Sequence, residues 1–529
     1  MISYYSLLAM ILLLLVFLLQ IFSYFNKNKN SSSQPNLHHP PSPPSIPIIG
    51  HLHLLKPLIH HSFRDLSERY GPLISLRLGS ARFIVVNSPS LAKEFLKTNE
   101  LIYSHRKMNI AINMVVYDDA TFAFAPYGTY WKFMKKLSTI ELLGNRTIKQ
   151  FASVRTQELH NFIQTLANKS NSEESLNLTQ ALVKLSNNLI SRMMLSIETS
   201  GTNSQAEEAR ILVREVTQIF GEFNISDFIG FCKNIDLKGF KKRAMDIHRR
   251  YDAFLEKIIY DREELRKKEM VEGRGNEEER MKDFLDILLD VYEEKDCEVN
   301  FTRNHIKSLI LDYFTAGTDT TATSVEWTIT ELFNNPSVLK KAQKEVDTIV
   351  GNERLVNEAD TPNLPYINSI IKETMRLHPP IPMIMRKGVK DCVVDGNIIP
   401  KDSIVCVNIW AMGRDQKIWN NPLEFRPERF LEYGEGSDID IKGHNFELLP
   451  FGSGRRGCPG MPLAMHQLPT VIAALVQCFD WKMLDSEGTI LEYGKMIDMN
   501  ERPGLTVPRA NDLICIPVAR FNPTTFLHV

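Results

Sequence analysis

One cysteine near the C-terminal end of the chain, Cys458, constrains the fold more than any other residue. It lies in the glycine- and arginine-rich loop Phe451-Gly-Ser-Gly-Arg-Arg-Gly-Cys-Pro-Gly460, just before an apolar, helix-like run from Leu463 to Phe479. Backbone N–H groups at a helix start and nearby guanidinium charge both lower the pKa of a thiol. Glycines let backbone approach a large flat group without interference from a Cβ atom. The loop therefore predicts a thiolate ligand.

Haem held by an axial thiolate fits this loop, because such ligation favours O–O bond cleavage at the iron. A lone cysteine is more often a small buried hydrophobe, and that interpretation is kept for the other six. These are Cys232, Cys297, Cys392, Cys406, Cys478 and Cys515. Seven cysteines without paired spacing predict no disulfide framework and favour a reduced, cytosol-facing catalytic domain.

The loop resembles the haem-binding signature of the cytochrome P-450 family. Phe451, Gly454, Arg456, Cys458 and Gly460 meet all five fixed positions of its pattern F-x-x-G-x-R-x-C-x-G. The resemblance implies haem b with Cys458 as the iron ligand. It also implies the cytochrome P-450 fold, mainly α-helical with a small β portion, in which a single large domain holds the haem.

Composition is that of an ordinary globular protein, with 43% hydrophobic and 24% charged residues among 529. The formal net charge is −1. Nucleic acid is therefore not an expected partner, because its recognition needs a strong basic field.

The N-terminal segment predicts a single membrane anchor. No charged side chain occurs from Met1 to Asn26, and a helix over Tyr4–Phe25 would be about 33 Å long, enough to cross a bilayer. Lys27 and Lys29 follow, which places the rest of the chain on the cytoplasmic side. A cleaved signal peptide is the alternative, but a basic start and a small-x-small cleavage site are both missing.

A linker separates this anchor from the remainder of the chain. Its polar part is Asn28–His39, and its second part, Pro40–Pro47, is dense in proline, which holds an extended spacer. With no repeat and no second linker, the sequence divides into an anchor (1–26), a linker (27–47) and one catalytic domain (48–529).

Periodicity predicts one hairpin and many helices. The runs Leu73–Gly79 and Arg82–Asn87 form strands around a Gly-Ser turn, and a second β portion is expected at 392–407. Helical patterns cover Leu91–Thr98, Tyr130–Leu143, Ile148–Ala167, Leu176–Ile197, Lys238–Met270 and Asn304–Phe333. The charged segment Glu272–Arg280 is expected to be a solvated loop.

The helix predicted over Asn304–Phe333 carries polar residues in its apolar centre, Ala316-Gly-Thr-Asp-Thr-Thr321. Glycine costs about 1 kcal/mol in a helix interior, and threonine is also unfavourable there. A hydrogen-bonded polar kink is one interpretation. The segment also resembles the family motif A/G-G-x-D/E-T-T. That resemblance implies a proton relay through Asp319 and Thr320, and a helix thinned at Gly317 so that dioxygen fits beside the haem.

Two further motifs concern the support of the haem site and the contacts with haem itself. Glu373 and Arg376 share a helix face, as an ordinary surface ion pair would. They also resemble the family's E-x-x-R, with Arg429 completing a buried support network behind the haem. Tyr130–Lys136 resembles the W-x-x-x-R helix, so Trp131 and Lys135 are implied haem contacts.

This second motif departs from the family pattern, because Lys135 stands where arginine is usual and offers only a point charge. Arg386 and Arg456 are the other implied propionate ligands. Lys132 and Lys136 form either a docking face for an acidic electron donor or a solvated face.

The whole chain resembles membrane-anchored plant cytochromes P-450, which implies the endoplasmic reticulum and NADPH delivered through a separate NADPH–cytochrome P-450 reductase. Within them it is similar to plant flavone synthase II, which converts flavanones such as naringenin, eriodictyol and liquiritigenin to flavones. Four segments carry this likeness: Phe122–Leu137, Glu141–Thr147, Asn224–Ile229 and Pro380–Gly388. The substrate-contact regions implied are Ile110–Tyr117, Phe220–Phe223, Leu309–Thr318, Pro380–Met385 and Pro503–Leu505.

Several other functions remain open. The nearest is a flavanone 2-hydroxylase of the licodione synthase kind, and others are hydroxylases of isoflavonoid or triterpenoid skeletons. Hydroperoxide-rearranging members of the family have no use for the Asp319–Thr320 pair. A haem sensor or membrane scaffold would be expected to carry an output domain, and the sequence suggests none.

Overall fold

The computed structural model describes residues 10–12, 14–15, 38–117, 120–197, 204–232, 236, 239–271, 282–294, 298–485, 487–491 and 495–522. The predicted anchor Tyr4–Phe25 lies almost wholly outside these residues, and the predicted loop Glu272–Arg280 lies entirely outside them. Within the described chain, one helix, Met461–Cys478, is long and apolar enough to cross a membrane, and 72% of it is buried inside the protein. The N-terminal anchor therefore stays a prediction.

The described chain is mainly α-helical. The helices are α1 (Ile59–Tyr70), α2 (Pro89–Lys93), α3 (Ile110–Val115), α4 (Thr129–Leu137), α5 (Asn145–Gln150), α6 (Ala152–Asn171), α7 (Leu178–Leu195), α8 (Ser204–Gly221), α9 (Phe240–Val271), α10 (Phe284–Glu293), α11 (Arg303–Asn334), α12 (Pro336–Ile349), α13 (Pro365–Leu377), α14 (Ile409–Met412) and α15 (Met461–Cys478). The strands are β1 (Leu73–Leu78), β2 (Ala81–Val86), β3 (Leu176–Asn177), β4 (Ile384–Lys387), β5 (Cys392–Val394), β6 (Asn397–Ile399), β7 (Ile404–Val407), β8 (Phe479–Met483) and β9 (Ile514–Ala519).

Helix α11 is the centre of the fold, and it packs against α7, α8, α13 and α15. It begins with a capping box between Thr302 and His305, which satisfies backbone N–H groups of the first turn. Its first half belongs to one apolar cluster and its second half, from Ala322, to another. The polar motif therefore lies at the boundary between two cores, and the helix runs through it without interruption.

The main sheet has the strand order β1-β2-β7-β4. The predicted hairpin is confirmed: β1 and β2 pair antiparallel, with Leu78 opposite Ala81 across the Gly79-Ser80 turn. Gly79 has φ of +58°, and a Cβ there would lie 2.2 Å from the carbonyl oxygen of Phe228. Only glycine fits this turn. The β portion expected at 392–407 is also present, as β5, β6 and β7.

Two predicted helices end in a wider turn. The run Leu91–Thr98 is α2 followed by a π-helical segment from Glu94 to Thr98, and α4 continues as a π-helical segment from Ser138 to Leu142. Among the longer helices, α1, α8, α10 and α12 were not predicted from the sequence, nor was the β8–β9 pair.

The cysteines predicted to be structural are mostly enclosed by the fold. Cys406, Cys478 and Cys515 are buried, as expected, while Cys232 and Cys392 are half-buried. Cys297 lies outside the described residues.

Candidate active site

The cysteine loop is held by its own backbone. The Cys458 N–H donates to the Phe451 carbonyl oxygen at 2.9 Å, and the Gly457 N–H donates to Gly454 at the same distance. Gly454 has φ of +68°, and a Cβ there would lie 2.4 Å from the Leu96 carbonyl oxygen. Phe451 is half-buried and packs between two apolar clusters. This geometry delivers Cys458 just before the first turn of α15.

The Cys458 thiol lies deep among protein atoms, yet its side chain is exposed. It therefore borders an open space within the fold. Burial raises the pKa of this thiol, and four neighbours oppose the rise: the N–H groups of Gly460 and Met461 and the cations of Lys135 and Arg106. A helix start and positive charge thus favour the thiolate, as the loop sequence predicts.

Helix α11 also borders open space at one turn. Ala316 is exposed, although the rest of the helix centre is buried or half-buried. Thr320, one turn later, is half-buried and donates its hydroxyl to the Ala316 carbonyl oxygen at 2.7 Å. The turn from Ala316 to Thr320 is therefore the part of α11 that a bound group could reach.

Tyr313 connects this part of α11 to the cysteine loop. Burial raises the pKa of its phenol, and the charges of Asp312 and Cys458 raise it further, while the nearby Ser138 hydroxyl opposes the rise. Hydrogen bonds make the same connection: Asp312 of α11 accepts from the Ala123 N–H at 3.1 Å, and Arg106 donates to the Ala123 carbonyl oxygen at 3.0 Å. The centre of α11 therefore lies next to Arg106, one of the cations of the cysteine site.

Gly317 lies where α11 packs against α7. A Cβ at this position would lie 2.8 Å from Cδ1 of Ile190 on α7. The missing side chain therefore allows α7 and α11 to approach closely, and the role of Gly317 beside the haem stays a prediction.

The two residues of the predicted proton relay face different neighbours. Asp319 faces Thr217 of α8, whose hydroxyl donates to the Val213 carbonyl oxygen at 2.8 Å, while Thr320 bonds to its own helix. Burial raises the pKa of Asp319, and Thr217 and the charges of Arg502 and Arg214 partly oppose this. Asp319 is thus directed towards arginines and α8, and Thr320 lies on the turn that borders the open space.

Four cations surround the cysteine loop without a carboxylate partner within ion-pair distance among the described residues. They are Arg106, Lys135, Arg386 and Arg456, and each donates to a backbone carbonyl oxygen: Ala123 at 3.0 Å, Gly457 at 3.1 Å, Met385 at 2.9 Å and Ser104 at 2.8 Å, respectively. Buried cations are costly unless an anion compensates them. The cluster therefore needs an anionic ligand.

The arginines of this cluster also repel one another. Burial lowers the pKa of Arg456 to about 9, with Arg106 contributing, and it lowers the pKa of Arg386 well below its usual value, with Arg106 and Arg456 contributing. One nitrogen of Arg456, Nη1, is buried without a hydrogen-bond partner in the described structure. Trp131 packs against the same guanidinium, whose Cζ lies 4.5 Å from the ring centroid.

These features fit a haem. A thiol at a helix start faces open space, and the cations beside it match the two carboxylates that haem carries. The structure brings together Trp131, Lys135, Arg386, Arg456 and Cys458, as predicted, although their roles toward haem remain proposals. Sequence reasoning missed Arg106, because it lies in an irregular loop and no motif marks it.

The E-x-x-R residues form a buried network. Arg376 donates to both carboxylate oxygens of Glu373, at 2.7 and 2.8 Å, and Arg429 donates to Glu373 at 3.1 Å. All three side chains are fully buried. The arginines also donate to carbonyl oxygens of the 413–424 segment, among them Pro422 at 2.7 Å and Asn421 at 2.7 Å. The network therefore ties α13 to the chain that leads into the cysteine loop.

Comparison with known proteins agrees with this site. Residues 40–508 match the family Cytochrome P-450. The chain is 72% identical to Cytochrome P-450 93B16 of Glycine max, covering 97% of this chain and 98% of that one, and 56% identical to Cytochrome P-450 93B2 of Gerbera hybrida, covering 98% and 99%. It is 46% identical to a 2-hydroxyisoflavanone synthase of Glycyrrhiza echinata, covering 93% of each.

A solved structure of a zebra fish cytochrome P-450 with progesterone matches the fold, with a TM-score of 0.71, 24% identity and coverage of 87% of this chain and 99% of that one. The chain belongs to the cytochrome P-450 family. It is accordingly a monooxygenase of the oxidoreductase class, in a group of plant enzymes of flavonoid and isoflavonoid metabolism, and the family implies haem with a cysteine thiolate ligand.

Proposed function

We propose that this chain is a flavone synthase of type II. It converts the flavanones naringenin, eriodictyol and liquiritigenin to the flavones apigenin, luteolin and dihydroxyflavone, with O2 and with NADPH delivered through NADPH–cytochrome P-450 reductase. The observation that carries the proposal is the gap in identity: 72% and 56% to the two 93B proteins, against 45–47% to 2-hydroxyisoflavanone synthases and a pterocarpan 6A-monooxygenase.

The residues around the cysteine supply the means of holding haem. Haem, when bound, supplies reductive activation of dioxygen. Cys458 is the proposed iron ligand, and Trp131, Lys135, Arg386 and Arg456 hold the propionates. Thr320, on the turn of α11 that borders the open space, holds a proton at its hydroxyl, and Asp319 links that turn to α8.

The regions proposed to contact the flavanone meet one another in the structure. The Asn109 side chain, at the start of α3, donates to the Phe220 carbonyl oxygen at 3.2 Å. A Cβ at Gly221 would lie 2.3 Å from the backbone nitrogen of Leu505, so α8 touches the C-terminal segment directly. The side chains of these regions are mostly apolar, which suits a flat aromatic ligand.

A second candidate is the flavanone 2-hydroxylase. Two relatives at 46–47% identity are 2-hydroxyisoflavanone synthases. Similar chains thus include enzymes named for a 2-hydroxy product on a related skeleton. The two reactions differ in whether the flavanone loses two hydrogens or gains a hydroxyl at C-2. Small differences in how a substrate is held decide such outcomes.

We place the enzyme at the endoplasmic reticulum membrane as a single-pass protein with its catalytic domain in the cytosol. The support is the uncharged segment Met1–Asn26 followed by Lys27 and Lys29. The reductase is proposed as a partner because the family uses one. Nucleic acid is not, because the net charge is −1.

Product analysis tests the function. Microsomes that carry this chain and a plant reductase receive naringenin and NADPH, and Cys458→Ser microsomes serve as the control. Apigenin formed directly supports the flavone synthase. A 2-hydroxyflavanone that yields apigenin only after acid treatment identifies the 2-hydroxylase, and no conversion despite a normal reduced-CO spectrum rejects both.

A further inference from the structure

A cluster of two histidines and one glutamate lies outside the site described above. His60 and His61, in the first turn of α1, both reach Glu501 in the C-terminal segment, about 440 residues later in the chain. Each Nε2 atom lies close to the same carboxylate oxygen of Glu501, at 2.8 and 2.9 Å. Adjacent residues on a helix ordinarily point apart, so this convergence on one oxygen is a specific arrangement.

The three side chains have the donor set of a zinc site. Their ligand atoms lie within 4.8 Å of one another. Zinc bonds of 2.0–2.1 Å in a tetrahedral site place ligand atoms about 3.3 Å apart. The observed nitrogen–oxygen distances of 2.8 and 2.9 Å would open by a few tenths of an ångström on binding. His60 and Glu501 are buried, while the His61 side chain is 30% exposed, which leaves one side open for a water ligand.

A surrounding shell fixes the carboxylate. The Trp410 indole N–H donates to the other Glu501 oxygen at 2.7 Å, and the His61 ring stacks on Trp410 with centroids 4.1 Å apart. The Glu501 backbone pairs with Arg509 in an isolated β-bridge. Such partners orient metal ligands and are part of a metal site.

Two cations stand near the cluster. Arg414 and Arg64 lie over the Trp410 ring, with Cζ at 4.0 and 5.4 Å from its centroid. Their charge weakens the binding of a divalent cation, but neither forms an ion pair with Glu501 in the described structure. We propose that His60, His61 and Glu501 form a three-ligand site for Zn²⁺.

The site would connect α1 to the C-terminal segment that contains Glu501. Glu501 is two residues before Pro503–Leu505, the segment whose backbone meets Gly221 of α8. A metal held between α1 and Glu501 would fix the start of this segment. The zinc site follows from the ligand geometry and does not depend on the flavone synthase assignment.

Zinc binding to the purified full-length haem protein tests the site. The protein is treated with EDTA, dialysed against ZnCl2, and its bound zinc is measured by elemental analysis. We expect about one zinc per chain in the wild type and its loss in Glu501→Gln and His61→Asn. Zinc should also raise the unfolding temperature of the wild type but not of these variants, because only the folded chain holds the three ligands together.

Matched controls separate this site from general histidine binding. His444→Asn replaces an exposed histidine elsewhere and should keep the zinc. Excess Mg²⁺ should not displace it, because imidazole favours zinc. The reduced-CO band reports correct folding. If Glu501→Gln does not fold, His61→Asn tests the site, because the His61 side chain is partly exposed. Absence of saturable zinc in the wild type, or one zinc retained in His61→Asn, overturns the proposal.

Discussion

The Lys135 ammonium donates a hydrogen bond to the carbonyl oxygen of Gly457 at 3.1 Å, one residue before Cys458. This contact joins helix α4 to the cysteine loop and places a positive charge beside the thiol. Burial lowers the pKa of Lys135, and the Cys458 charge opposes that change. The ammonium group has three N–H donors, so two remain for an anionic ligand after this hydrogen bond.

Replacement of Lys135 should weaken haem binding. A hydrogen bond to a charged group contributes about 1.5–3 kcal/mol, so Lys135→Ala should release haem roughly tenfold faster or more. Lys135→Arg should retain it, because arginine supplies the same charge with a planar fork. The measurement is haem transfer to a scavenging apoprotein. Lys132→Ala, exposed on the same helix, is the control, and an unchanged rate in Lys135→Ala would remove Lys135 from the haem contacts.

Cys458→Ser should abolish the thiolate–haem spectrum, because a neutral hydroxyl does not supply the negative charge. The reduced-CO absorption band of the purified protein checks this. Cys392→Ser changes a half-buried cysteine on β5 and should leave the band intact. A normal band in Cys458→Ser would show that another residue is the ligand.

Thr320→Ala should keep haem but uncouple NADPH oxidation from product formation, because proton delivery loses a positioned hydroxyl. The product formed per NADPH consumed should fall several-fold. Thr348→Ala is a matched control, since its hydroxyl also donates to the carbonyl oxygen one turn earlier at 2.7 Å, on an exposed helix face. Full coupling in Thr320→Ala would exclude this hydroxyl from the relay.

Glu373→Gln should severely destabilise the protein. The change leaves Arg376 and Arg429 buried without a counter-charge, and breaking a buried pair costs about 3–5 kcal/mol. Two measurements report the loss of stability: the amount of expressed protein that shows the reduced-CO band, and the unfolding temperature. Glu424→Gln removes an exposed pair with Arg426 and should cost under about 1 kcal/mol. Equal stability of the two variants would contradict the structural role.

Local signals explain what the sequence predicted correctly. The Gly79-Ser80 turn specifies the β1–β2 hairpin, and the apolar periodicity specifies α11 to within one residue at each end. Cys458 could be singled out because glycines and arginines surround it in one short loop. These features depend on neighbours in the chain, which a single sequence displays.

Long-range geometry explains what the sequence did not predict. Gly317 shows that a side chain is missing, but only the packing against Ile190 shows the direction in which space is needed. Arg106 joins the cation cluster through folding of an irregular loop. The contact between His60 and Glu501 spans 441 residues, and neither residue belongs to a recognisable motif.

Asp312 on α11 should make stability depend on pH. Burial raises the pKa of its carboxyl to about 6 from the usual 3.8, against hydrogen bonds from Ala123 and Thr121. The folded chain therefore holds this proton between about pH 4 and pH 6, where the unfolded chain has lost it. The folded state binds more protons in that window, so its stability falls as pH rises and is lowest, for this group, above pH 6.

Asp312→Asn should remove this fall while its amide oxygen still accepts the Thr121 hydrogen bond. A pKa difference of about 2 corresponds to about 3 kcal/mol at most. Denaturant unfolding at pH 5 and pH 7 measures the effect, and the variant should gain stability relative to the wild type at the higher pH. Asp480→Asn, at an exposed position, should show no such gain. If the free energy of unfolding depends on pH in the same way in the wild type and in Asp312→Asn, the Asp312 carboxyl titrates alike in the folded and unfolded chains.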